Sequence, residues 1–196
     1  MEFYPADAPI PEETRTDRLL LRPLRATDVA LDYDALMSSA EHLRRWSQST
    51  WPADDFTLDQ NRADLQRHER EHAGREAFTF TVLNPEATRC LGCVYLRSLW
   101  PEVAQLCAGA TYAAGVRFWV RAAEVANDLD THLLATLRGW FAAEWPFACV
   151  VFAVSHHEPH QAALMSEAGL KRAAFTLADG RAWWAFCREN GKQSPV

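Results

Sequence analysis

Between Val116 and Leu170 the chain reads as a strand, a short loop, an amphipathic helix of about four turns, a second strand and a short helix, and the first loop of that unit contains no glycine. Val116 to Val120 is apolar apart from Arg117. Leu129, Leu133, Leu137, Trp140 and Phe141 then recur at helical spacing until Pro146 ends the helix. Ala148 to Val154 is nearly all apolar, as expected of a strand covered on both faces. Pro159 to Ala168 is a short helix closed by Gly169, which suits the left-handed turn after a helix.

Upstream, Arg18 to Arg22 predicts a buried first strand stopped by Pro23, and Thr27 or Asp28 caps a helix carrying Val29, Tyr33, Leu36 and Ala40 on one face. Trp46, Trp51 and Pro52 are expected in a loop. From Phe56 to Ala73 a highly charged segment has Leu58, Leu65 and His72 spaced by sevens, which predicts a helix with a narrow buried stripe. Ala77 to Leu83 alternates with period two, and with Cys90 to Arg97 it makes an antiparallel pair. Ser98 to Gly115 is expected to be a loop with a partial strand near Ala110. At the end, Ala173 to Leu177 and Arg181 to Cys187 flank the turn signal Asp179-Gly180. The class is α/β in the mixed α+β sense, with helices on both faces of a mostly antiparallel sheet.

With 196 residues, 48% of them apolar, the chain suits one well-filled core, placed over residues 15–187. An extended N-terminal segment, 1–14, and a loose tail, 188–196, flank it. Twenty basic against 26 acidic residues, without a block of like charge, argues against nucleic acid or an anionic membrane surface as partner. The longest apolar run, Phe147 to Val154, is too short to span a bilayer, and no leader-like segment opens the chain, so a cytoplasmic location is expected. Five cysteines, an odd number, are expected to stay reduced. Cys90-Leu-Gly-Cys93 has metal-ligand spacing, but on a regular strand residues three apart face opposite ways, so the two sulfurs are not expected to converge.

Three segments together resemble the GNAT superfamily of acyl-CoA N-acyltransferases: Thr16-Asp-Arg-Leu-Leu-Leu-Arg-Pro-Leu-Arg-Ala-Thr-Asp28, Phe118-Trp-Val-Arg121 leading to the helix at Leu129, and Leu164 to Leu170. The first is similar to the branch that includes ribosomal-protein alanine N-acetyltransferases. The resemblance covers roughly residues 15 to 187 and implies a splayed strand pair that admits acetyl-CoA or another acyl-CoA. It places the cofactor on Phe118, Trp119, Val120, Arg121, Ala126, Asn127, Asp128 and Leu129. Main-chain groups of Phe118 to Val120 would meet the pantetheine arm, and Arg121, Arg117 or Arg172 would supply charge for the phosphates.

The pyrophosphate loop of that family reads R/Q-x-x-G-x-G/A, because side chains there keep backbone N–H groups from the phosphates. Here Ala126 and Asp128 stand where glycines belong, and Asp128 with Asp130 brings negative charge to the helix N-terminus. Glu158 replaces an asparagine that contacts the cofactor, and Met165 replaces a tyrosine that protonates the leaving thiolate. An acceptor amine must lose a proton before it attacks a thioester; Glu102, His156 or His157 is expected near the split strands for that task.

His68-Glu-Arg-Glu-His72 is a literal H-E-x-x-H, which on a helix would offer zinc two imidazoles, with a third ligand from His156-His-Glu-Pro-His160. The surface-like sequence around it favours no metal. His68 and His72, with Trp46 and Trp51, are instead expected to contact substrate. One of Trp183 and Trp184 must point outward, and an exposed aromatic there would favour a homodimer. The sequence thus points to direct acetyl transfer to a primary amine, on a small molecule or a peptide N-terminus. A non-catalytic ligand-binding protein that has lost coenzyme A is the alternative, and a zinc hydrolase using His68 and His72 the third.

Overall fold

A computed structural model describes residues 1–187; the tail expected over 188–196 lies outside the described residues. One sheet organises the domain. Its strands are β1 (Thr14–Arg15), β2 (Leu20–Pro23), β3 (Ala77–Leu83), β4 (Cys90–Arg97), β5 (Ala113–Val120), β6 (Cys149–Ser155), β7 (Lys171–Thr176) and β8 (Ala182–Cys187). Their order is β1-β2-β3-β4-β5-β6-β8-β7, and every neighbouring pair is antiparallel except β5 with β6.

Side chains alternate across this sheet with period two, and each face therefore needs its own cover. Phe78, Phe80, Val94, Val116 and Phe118 pack with Leu133, Leu137 and Trp140 of α5 (Leu129–Glu144) and with Leu164 of α6 (Pro159–Glu167). On the opposite face Leu83, Cys93 and Trp119 meet α1 (Val29–Met37), α2 (Ala40–Ser47) and α3 (Leu58–Ala73) through Leu36, Leu43 and Leu65. A third cluster, with Val103, Val151, Phe175 and Trp183, fills the remainder of the sheet under a 3-10 helix, Pro101–Cys107. That helix occupies the stretch expected to be a loop. A short α4 (Ala122–Val125) leads into α5. The N-terminal segment is no free arm, because Tyr4 is buried in the first cluster and its hydroxyl donates to Pro9 O at 2.6 Å.

Three expectations need correcting. Trp46 lies on α2 rather than in a loop; the apolar residues Leu43 and Trp46 are spaced i, i+3 among charged ones, which suffices for a helix two turns long. Cys90 and Cys93 share a face, because Val82 pairs with Gly92 while Leu83 pairs with Cys90, and the bulge at Leu91 resets the alternation. The cysteines are not all reduced either. Cys107 and Cys149 form a disulfide across Cα atoms 5.6 Å apart, because the 3-10 helix lays its last turn on the start of β6.

Gly92 lets β4 lie hard against β5. A Cβ there would fall 2.1 Å from Trp119 O and 2.9 Å from the Cα of Val120.

Candidate active site at the strand split

β5 and β6 pair from Ala113 with Cys149 to Val116 with Phe152, and there the pairing stops. Beyond it β5 stays with β4 as far as Val120, and β6 stays with β8 as far as Ser155. The main-chain groups of Phe118 and Val120 therefore face the gap, since Arg121 N–H points the other way, to Leu91 O at 2.7 Å. Two donors hold the Phe118 carbonyl: the Trp46 indole N–H at 2.8 Å and Gln161 Nε2 at 3.0 Å.

A cavity of about 250 Å³ opens at this split. Trp119 and Val120 form one wall, His42 and Arg45 of α2 another, Ala122 and Val125 of α4 a third, and Asp130, Glu158, His160 and Gln161 the rest. Asp130 is buried in the first turn of α5 and accepts from its neighbour Thr131 N–H at 2.9 Å and pairs with His160 Nε2 at 2.8 Å. Glu158 is 7% exposed; its carboxylate lies 3.7 Å from His42 Nδ1 and 3.7 Å from Arg45 Nε. Burial pushes the Glu158 carboxyl above the ordinary glutamate range, against the opposing pull of Arg45 and His160. Burial likewise holds His42 below its ordinary value, with Arg45 adding to the effect. Glu158 Oε1 and Gln161 Oε1 are both buried without a hydrogen-bond partner. Because the Gln161 amide donates to Phe118 O, its oxygen is turned away from that strand.

Of the residues expected to hold the cofactor, Trp119 and Val120 line the cavity, and Phe118 reaches the gap through its carbonyl. Arg121 is buried and works inside the fold, donating to Cys90 O at 2.5 Å and Ser38 Oγ at 2.9 Å and pairing with Asp34 at 2.5 Å. Ala126, Asn127 and Asp128 are exposed on the α4–α5 turn, and Leu129 is buried in the core, 3% exposed. Arg117 is stacked between the rings of Trp46, at 3.7 Å, and Trp183, at 4.2 Å. Arg172 lies over Trp184, at 4.4 Å.

Neither Glu102, in the 3-10 helix, nor His157, exposed after β6, lines the cavity. Of the expected substrate contacts, Trp46 reaches the gap through its bond to Phe118 O, and the other three lie elsewhere. His68 is buried against Tyr95 and bonded to Thr79 Oγ1 at 3.1 Å, and His72 packs on Phe78 and Phe80. Trp51 meets Phe56. Among the described residues no group of three or more His, Cys, Asp or Glu gathers as a metal site. Met165, 1% exposed, is a core side chain. Trp184 is covered by His156, at 3.9 Å, and by Arg172, so β8 shows no bare aromatic patch.

Sequence reasoning missed His42, Arg45, Asp130, Glu158 and His160 as a group. Asp130 is legible only as charge at a helix N-terminus and Glu158 only as a substitution at a cofactor-contact position, while His42 and Arg45 carry no signal of their own and His160 falls in a histidine cluster that suggests a metal. The available signal was Pro159 at the first turn of α6, which fixes Glu158 as the residue entering that helix.

The residues present fit one part of an acyl-CoA better than the other. Val120's main chain and the unpartnered oxygens of Glu158 and Gln161 suit an arm carrying amide N–H groups. The α4–α5 turn has neither glycine nor a free arginine to hold a diphosphate.

The family model described as acetyltransferase (GNAT) domain matches residues 18–171. No curated protein matches the chain by sequence. Among solved structures, a ribosomal L7/L12 alpha-N-protein acetyltransferase in complex with coenzyme A superposes with a TM-score of 0.72 at 14% identity, over 91% of this chain and 98% of that one. A ribosomal-protein-S5-alanine acetyltransferase from Vibrio fischeri gives 0.68 at 15% identity, over 94% and 100%. A microcin C7 self-immunity acetyltransferase in complex with acetyl-CoA and AMP gives 0.71 at 10% identity, over 89% and 93%. At such identities the likeness is one of fold.

Proposed function

This chain belongs to the GNAT acetyltransferase family, and from that premise we propose that it transfers an acetyl group from acetyl-CoA directly to a primary amine, on a small molecule or a peptide N-terminus. The observation that carries the reading is the cavity at the point where β5 and β6 part, walled by Val120 on one side and by Glu158 and Gln161 on the other. Bound acetyl-CoA supplies the acyl group, activated as a thioester. The protein's part is to hold the arm and manage a proton. Val120's main chain can donate and accept along the arm and Gln161 Oε1 accepts from it, while Trp46 and Gln161 Nε2 fix the strand by holding Phe118 O.

Glu158 takes the role of proton acceptor in preference to Glu102 or His157. It is the carboxyl raised by burial inside the cavity, and an ammonium must lose a proton before its nitrogen can attack. No cysteine stands in the cavity wall, which favours transfer within a ternary complex over a covalent acyl-enzyme. A ligand-binding protein without turnover is the second reading; it is favoured by Met165, which puts a core side chain where a thiolate's proton donor would be useful.

The test is turnover. Purified protein is incubated with acetyl-CoA and a panel of small amines and peptides with free N-termini, with thiol release and mass spectrometry as readouts. We expect an N-acetylated product, and a loss of about a hundredfold in kcat/KM for Glu158→Gln. No acetylated product across the panel, together with no binding of acetyl-CoA, would favour the second reading.

A further inference from the structure

Resting on that reading, we infer that the strand-split cavity recognises the amide-bearing arm of its thioester donor and leaves the nucleotide diphosphate unread, so that phosphate-free pantetheine thioesters are donors of equal standing.

Six backbone N–H groups along the turn into α5 are already engaged. Ala122 N–H donates to Ser39 Oγ at 3.1 Å, Glu124 N–H to Arg121 O at 2.9 Å, Asn127 N–H to Glu124 O at 3.1 Å and Asp128 N–H to Val125 O at 3.1 Å. Further along, Thr131 N–H meets the Asp130 carboxylate at 2.9 Å and His132 N–H meets Asp128 O at 3.1 Å. An anion nest needs such donors pointing outward together, and these six turn into the chain. Asp130 also supplies the negative charge that the positive end of α5 would otherwise draw from a ligand.

Nearby cations are occupied as well. Arg89 pairs with Glu124 at 2.6 Å, Arg18 donates to Asn127 O at 2.6 Å, Arg45 pairs with Glu41 at 2.9 Å, and His160 is held by Asp130. Asp128, left exposed, adds repulsion. The cavity itself makes the opposite demand. Glu158 and Gln161, 7% and 8% exposed, each keep an oxygen without a hydrogen-bond donor. A buried acceptor left unpaired costs about 1–3 kcal/mol, and the amide N–H groups of a pantetheine arm are donors of the right kind, whereas a diphosphate brings only acceptors.

Calorimetric titrations of the whole protein with coenzyme A and with pantetheine test this. The expected result is dissociation constants within about threefold of each other, with coenzyme A binding shifting less than about twofold between low and high salt. Asp128→Gly is compatible with the left-handed backbone at that position, φ 53°. That variant should tighten coenzyme A and leave pantetheine unchanged, and Gln161→Leu should weaken both ligands alike. Coenzyme A binding about tenfold or more tighter than pantetheine, with the advantage lost in salt, would overturn the inference while leaving acetyl transfer intact. Heat from neither ligand would sink the acetyl-transfer reading together with it.

Discussion

Trp46 and Phe118 are joined by an indole-to-carbonyl hydrogen bond of 2.8 Å that ties α2 to β5 where it has parted from β6. Phe118 O has a second donor in Gln161, so losing either one alone does not orphan it. Trp46→Phe should lower stability by about 1–2 kcal/mol, read as a fall in the urea midpoint at constant slope. Combined with Gln161→Leu, the loss should exceed the sum of the single effects by about 1 kcal/mol, because only the double variant leaves a buried carbonyl unpaired. Strict additivity would mean that the two donors do not share that acceptor in solution.

Gly92→Ala tests how close β4 lies to β5. With backbone 2.1 Å from the new methyl there is no flexible side chain to give way. A loss of about 3 kcal/mol or more is expected, at the upper end of overpacking effects, and visible as a large drop in thermal midpoint. A near-neutral substitution would show that the strands lie further apart at Val120.

Asp32 gives the molecule a pH dependence of known sign. Its carboxyl is buried between α1, α3 and β4, accepting from Asn61 Nδ2 at 2.9 Å with Cys93 Sγ at 3.6 Å, and burial lifts it from 3.8 to about 6. The charged groups facing it, Asp64 and Asp28, push the same way. A folded-state value above the unfolded one means stability present in full below about pH 4 and lost as pH rises through about 6, a difference on the order of 3 kcal/mol. Asp32→Asn should flatten that fall in denaturant titrations between pH 4 and 7 and leave the variant more stable at neutral pH. An unchanged slope would assign the dependence to other groups.

The Cys107–Cys149 bridge closes a loop with a sequence separation of 42. Restricting the unfolded chain over such a loop is worth about 2–4 kcal/mol. Cys107→Ser with Cys149→Ser, or reductant on the unaltered protein, should lower the urea midpoint by a corresponding amount. Equal midpoints with and without reductant would show that the bridge does not form.

Much of the fold was legible because apolar spacing carries it. Ala77–Leu83 and Cys90–Arg97 lie where alternation put them, and α5 begins at Leu129 as its periodicity required. Three things were hidden for identifiable reasons. A single extra residue at Leu91 inverts the alternation of a strand without altering its composition. α2 is so charged that only Leu43 and Trp46 mark its buried side. The cavity draws its walls from α2, β5, α4, the first turn of α5 and the start of α6, and no local pattern links residues as far apart as His42 and Gln161. The missing glycines were visible at once, but the inward turn of the amides around Asn127 was not, since it depends on which carbonyl each N–H reaches.

The last strand among the described residues, β8, occupies an interior slot between β6 and β7. During translation, then, β6 keeps a naked edge, on the side away from β5, until Cys187 has left the ribosome. A nascent chain halted before Ala182 would offer that edge to any extended polypeptide nearby. Early stop codons should therefore yield insoluble fragments rather than a smaller working enzyme.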